Sequence, residues 1–138
     1  MKINKHIKIF LLGVLGFCIL GFIILYSQSR RFDNLIENGR YTIAQGEEIK
    51  KRRTGWSFIF NYKVHNEVYD GRIKFMVNKW GMKKGGIYFV VFDPNNPKKE
   101  MLIRYPSVPE INLDSIPAEG WAELPVPVPK DSIRNFLD

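Results

Sequence analysis

The apolar positions of this chain change period twice, and each change marks an element. "IFLLGVLGFCILGFIILY", Ile9 to Tyr26, is eighteen residues without a charge. As a helix it would be about 27 Å long, close to the roughly 30 Å hydrocarbon core of a bilayer. Lys8 can snorkel outward and let Ile7 extend the span. A segment apolar on every side, behind "MKINKHIK", reads as a membrane helix rather than as a buried one. Its length exceeds the roughly 7–15 apolar residues of a signal peptide, and Ser27-Gln28-Ser29 is a weak cleavage motif, so a retained anchor is expected.

Residues 30–39 predict a short continuation helix, with Phe32, Leu35 and Ile36 at helical spacing and Asn38-Gly39 as a left-handed stop. Its apolar face has two uses open to it, lying in the headgroup region or packing on the domain that follows.

From Arg40 the period becomes 2. "RYTIAQGEEIKKR" reads as a first strand with a solvated end. "WSFIFNYKV" sets Trp56, Phe58, Phe60, Tyr62 and Val64 on one face and Ser57, Asn61 and Lys63 on the other, five consecutive hits to the strand template. His65-Asn66-Glu67 is a tight connection, and "VYDGRIKFMV" returns with Tyr69, Ile73, Phe75 and Val77 on one face. Gly71 there marks a bulge or a close approach. After the loop "NKWGMKKGG", "IYFVVF" is continuously apolar, as a strand covered on both faces should be. "MLIRY" is a fifth short strand. The fold class is therefore mainly β, with one transmembrane helix and then a five-stranded antiparallel meander or partly closed barrel over residues 40–105. A sheet this small needs closure or cover for its apolar face.

Residues 106–138 hold six of the eight prolines. Each proline removes a backbone donor, so regular structure is excluded over most of this tail. Pro125 to Pro129 is expected in polyproline II form. Ile111, Ile116 and Trp121 are apolar enough to wrap the domain, and a short helix is expected from Asp131 to Leu137.

Charge divides the chain the same way. Residues 1–29 carry three Lys and no acid, residues 30–104 sixteen Lys or Arg against eight acids, and residues 105–138 two against six. A basic body allows an anionic partner, although the acidic tail is also available to neutralise it. Lys2, Lys5 and Lys8 on one side of the span, against Arg30, Arg31 and Arg40 on the other, narrowly favour a cytoplasmic N-terminus by the positive-inside rule. The C-terminal domain is then extracytoplasmic.

Candidate chemistry is sparse. The lone Cys18 lies at lipid depth, and with His6 and His65 far apart in sequence no zinc site is expected. No nucleophile elbow, zinc-protease helix or P-loop is present. Asp93, Pro94, Asn95, Asn96 and Pro97 could be taken for an ion loop, but calcium wants more carboxylates and a bidentate acid. Each of the five has a turn-chemistry reason to be there, and a structural corner is expected. Lys50, Lys51, Arg52 and Arg53 are the candidate contact for an anionic partner, either lipid headgroups or an acidic protein. Beside the Trp56–Tyr62 stripe they also imitate an oligonucleotide-binding barrel; a period-2 stripe is more often core, so no nucleic acid is expected.

Tyr69-Asp70-Gly71 and the run Gly85-Gly86-Ile87-Tyr88-Phe89-Val90-Val91-Phe92-Asp93-Pro94-Asn95-Asn96-Pro97 resemble the signature of a group of small bacterial membrane-anchored β-domain proteins to which no activity is assigned. The similarity covers the helix and roughly residues 40–105, and the proline-rich tail with Gly120-Trp121 is similar to variants from the Bacteroidetes. His65-Asn66-Glu67 departs from the group's usual Val-Asn-Gly-Lys. The resemblance implies the fold and the membrane location only. Together these readings lead to a non-enzymatic, single-pass protein of the bacterial inner membrane. Its β domain binds another envelope protein or the membrane surface, with no cofactor, metal or small-molecule substrate. The alternative is an immunity or inhibitor protein that neutralises a toxin.

Overall fold

A computed structural model describes residues 4–76 and 81–136. Two compact units divide between Asp33 and Asn34. The first consists of most of helix α1, Lys5–Asn38. Its apolar side chains are exposed from Ile7 to Tyr26, and it is long and apolar enough to cross a membrane.

The second unit is built on five strands: β1 (Arg40–Arg52), β2 (Gly55–Val64), β3 (Glu67–Phe75), β4 (Ile87–Asp93) and β5 (Asn96–Ile103). All neighbours are antiparallel, in the order β3-β2-β1-β4-β5. The chain therefore leaves one sheet edge after β3 and re-enters on the far side of β1. This crossing excludes a simple meander and gives the partly open Greek-key barrel, a form shared by oligonucleotide-binding domains; architecture alone assigns no ligand. The edges β3 and β5 approach each other across a seam.

Packing explains the closure. Phe58, Phe60, Tyr62 and Val64 point inward and are buried with Ala44, Met82, Val90, Phe92 and Leu102. The row of rings on β2 is flanked by small residues. Phe60 stands opposite Gly46 on β1 and Gly71 on β3, and a Cβ on Gly71 would collide with the Phe60 ring. A Cβ on Gly46 would lie 2.7 Å from Phe58 Cζ. Gly71 is thus a close approach in regular register. The bulge lies instead between Gly46 and Glu48 on β1, where the strand leaves β4 and continues with β2 alone. Bulges add local twist and bend, which is what curls a sheet.

Tyr62 reaches across the interior and its hydroxyl donates to the Pro97 carbonyl on β5 at 2.5 Å, tying β2 to the far edge. Tyr62→Phe leaves that half-buried carbonyl without its donor. The expected loss is about 1 kcal/mol, or about 4–8 °C in Tm for a domain of this size, read by thermal melting in detergent.

Strand β4 is covered on both faces, as its continuous apolar run implies. Val90 and Phe92 face the interior cluster, while Phe89 and Val91 are buried outside it with Leu35, Tyr41, Ile103 and Ile133. Leu35, on the last turns of α1, is 2% exposed. Of the two uses open to that turn, packing on the domain is the one seen at Leu35. Gly39 is not left-handed, which corrects the expected stop. It is required because a Cβ there would lie 2.6 Å from Val91 Cγ2 and collide with the Leu35 carbonyl.

The tail straps the outer layer. Tyr41 and Trp121 exchange backbone hydrogen bonds of 2.8 and 2.7 Å, and the Ala118 carbonyl accepts from His65 N–H. Further on, α2 (Lys130–Ile133) passes into a 3₁₀ turn, Arg134–Phe136; Leu137, the expected end of that helix, and Val77, assigned to the third strand, lie outside the described residues. The fifth strand starts at Asn96 rather than at Met101. Pro97 is tolerated there because β5 is an edge, where no ladder donor is required.

Two buried phenols give the barrel an alkaline limit. Burial pushes Tyr62 well above the ordinary tyrosine range, helped by nearby Glu100, Tyr69 and Asp70. Burial does the same to Tyr41, with a contribution from Glu123. In the unfolded chain both ionise near pH 10. Their contribution to stability is complete below that pH and is lost as pH rises toward the folded values, because the unfolded state alone releases protons. Denaturant midpoints are expected to be flat from pH 7 to 9 and to fall above about pH 10, with a smaller fall in Tyr62→Phe.

Candidate anion-contact face

The register that buries the β2 rings fixes what lies on the opposite face. Phe58, Phe60, Tyr62 and Val64 point inward, so Ser57, Ile59 and Asn61 point outward; Trp56, at the start of the strand, is half-buried and lies outside the core cluster. Pairing then lines up Lys50, Ser57 and Lys74 in one row across β1, β2 and β3, and Glu48, Ile59 and Arg72 in the next. Arg52 lies two residues beyond Lys50 on the same face of β1. Past the bulge this end of the sheet is a three-stranded ribbon, and Lys50, Arg52, Arg72 and Lys74 are all exposed on it.

Lys50 is held by Glu48 at 2.8 Å. Among the described residues, Arg52, Arg72 and Lys74 have no ion-pair partner. With Thr54, Trp56 and Ser57 they line a hollow of about 220 Å³. Ser57 is 1% exposed, and its hydroxyl is buried without a hydrogen-bond partner. Such an orphan costs stability and calls for a specific reason in a folded protein. Three cations and a hydroxyl-bearing residue on one hollow are of the chemistry that an oxyanion needs, namely positive charge and a hydrogen-bond donor. Ser57→Ala removes the unsatisfied group, and in the absence of an anion it is expected to raise the denaturant midpoint, by about 1 kcal/mol of stability.

The expected contact residues divide here. Lys50 and Arg52 belong to the face, whereas Lys51 lies opposite Trp56 on the other parity of β1 and Arg53 sits in the two-residue turn. Neither lines the hollow. Arg72, Lys74 and Ser57 lie outside the basic run Lys50 to Arg53. Their signal was present, since Arg72 and Lys74 alternate with the inward Gly71, Ile73 and Phe75. Joining them to Arg52 needed the pairing of β2 with both neighbours, which local periodicity does not give.

Asp93 to Pro97 form the turn between β4 and β5. Asn95 N–H donates to Asp93 Oδ1 at 2.9 Å, and Asp93 pairs with Asn96. The Asp93 carboxylate is thus engaged in closing the hairpin. Among the described residues, no group of three or more His, Cys, Asp or Glu is placed to hold a metal ion. Of the aromatic stripe Trp56 to Tyr62, Phe58, Phe60 and Tyr62 are core, at 0–2% exposure, whereas Trp56 is half-buried and lines the hollow. No family model matches the chain, and neither curated proteins nor solved structures give a match.

Proposed function

We propose that this chain is a non-enzymatic, single-pass membrane protein whose β domain docks on an anionic membrane surface through the outer face of β1–β3. Helix α1 serves as the retained anchor in the bacterial plasma membrane, and the charge asymmetry around its apolar span supports an extracytoplasmic barrel. The observation that carries the reading is the group of three exposed cations, Arg52, Arg72 and Lys74, left without acidic partners among the described residues. Unneutralised cations on one face are the signature of a surface that meets negative charge elsewhere. Helix-then-β order, together with the Asp93–Pro97 turn, is what supports kinship with the group of anchored β-domain proteins.

The full chain in lipid nanodiscs tests this. A fluorophore placed at the hairpin tip, by Thr54→Cys in a Cys18→Ser background, is expected to be quenched by a headgroup-borne quencher in phosphatidylglycerol discs. In phosphatidylcholine discs the quenching should be weaker, and salt should abolish the difference, as screening requires. Equal quenching in both lipids sinks the reading. Protection of the tip only after addition of an acidic protein would move the partner from lipid to protein.

A further inference from the structure

Deepening the surface reading above, we infer that the hollow at the β1–β3 ribbon is a phosphate-binding subsite, in which Ser57 donates to a phosphate oxygen held by Arg52, Arg72 and Lys74. A diffuse basic patch would attract negative charge with exposed side chains alone. Here Arg52, Arg72 and Lys74 line a hollow of about 220 Å³ together with Ser57, whose hydroxyl is buried and unpartnered. The two observations are independent. Cross-strand register places Ser57 directly opposite Lys74, while its burial comes from the residues around it.

The chemistry selects phosphate over a single carboxylate. A guanidinium from β1 and another from β3, with the ammonium of Lys74 on the same strand as Arg72, approach the hollow from different strands. A tetrahedral oxyanion presents oxygens in several directions, whereas a carboxylate presents two in one plane. Once the side chains over it move aside, Ser57 supplies the directional bond that separates a bound phosphate from a screened counterion. Glu48 is engaged by Lys50, so its charge at the rim is already balanced. The phosphate has two sources, a lipid headgroup or a free phosphate-bearing solute, and the same contacts serve both.

The test uses the full chain in neutral detergent, with amide NMR of labelled Ser, Arg and Lys residues. Titration with inorganic phosphate and with glycerol phosphate is expected to give saturable shifts at Ser57, Arg72 and Lys74 that sodium chloride at equal ionic strength does not give. Ser57→Ala, which keeps every charge, is expected to weaken binding at least about tenfold, as loss of a charge-assisted hydrogen bond should. Arg72→Gln is expected to weaken it at least as much. If phosphatidylglycerol discs reproduce the shifts, the source is the headgroup; if only the free anions do, it is a solute. Absence of saturable shifts overturns the subsite, and so does unchanged affinity in Ser57→Ala. Docking on anionic discs that survives Ser57→Ala unaltered would leave the surface reading standing without the subsite. Phosphate binding at Ser57 with no dependence of docking on lipid charge would do the reverse.

Discussion

Phe60→Ala is expected to destabilise the β domain by about 3–5 kcal/mol, the range for emptying a large aromatic site in a packed core. Phe60 is fully buried, stacks with Phe58 at a ring distance of 6.0 Å and lies tilted against Tyr62 at 6.2 Å. The sharper test pairs it with Gly71. In the wild-type background Gly71→Ala forces a methyl into the Phe60 ring, and overpacking of this kind costs about 1–3 kcal/mol. Once the ring is removed the same methyl enters open space, so Gly71→Ala on top of Phe60→Ala should cost nothing or recover a little stability. The resulting coupling of about 1–3 kcal/mol is measured by urea unfolding of the four proteins of the cycle. Additivity within about 0.5 kcal/mol would mean that the ring does not lie over the glycine, and the account of how the barrel closes would fail with it.

That ring-over-glycine contact also marks how far local sequence carries. Alternation from Trp56 to Val64 sufficed to place a strand and its buried face, because a period of two is a property of one strand. The unbroken run Ile87–Phe92 sufficed to say that its strand is covered twice, since no solvent-facing polar position interrupts it. Turn chemistry located the His65-Asn66 and Pro94-Asn95 hairpins, where the needed conformations belong to the residues themselves. His65 and Asn66 both take positive φ, 50° and 67°. What remained hidden depends on pairs. That Gly46 and Gly71 both face Phe60 follows from register on two sides of β2, and the long connection after β3 hides which edge β4 joins. Gly39 meets the same limit: glycine is needed there for contact with Val91, fifty-two positions away, while local rules offer only its left-handed freedom.

The candidate site shows the same boundary more sharply. A charge run is conspicuous in a sequence, so Lys50 to Arg53 reads as one block. A strand sends neighbours to opposite faces, and the block separates into Lys50 and Arg52 on the ribbon's outer face and Lys51 on the other parity, with Arg53 in the turn. The missing cations come from β3, where Arg72 and Lys74 are spaced by one inward residue and look like ordinary solvated positions. Ser57 is less legible still. It stands between Lys50 on β1 and Lys74 on β3, and no feature of "WSFIF" announces its burial.

Neutralising the face should therefore do more than an equal loss of charge elsewhere. In the variant Arg52→Gln, Arg72→Gln, Lys74→Gln, each cation removed from an anionic surface forfeits about 1 kcal/mol. The docking equilibrium is expected to shift by about 3 kcal/mol in total, roughly 150-fold toward the undocked domain. The control removes two exposed lysines of β5, by Lys98→Gln with Lys99→Gln. Both variants lower the net charge of +7, so an effect of overall charge would appear in each in proportion to the cations lost. A site on the β1–β3 ribbon predicts a near-complete loss of lipid-charge dependence in the first and almost none in the second. The salt dependence of quenching at position 54 should vanish with the first variant too, because the charges that salt screens are gone. Proportional losses in the two variants would leave only a uniformly basic domain, and the ribbon would lose its claim to be the contact.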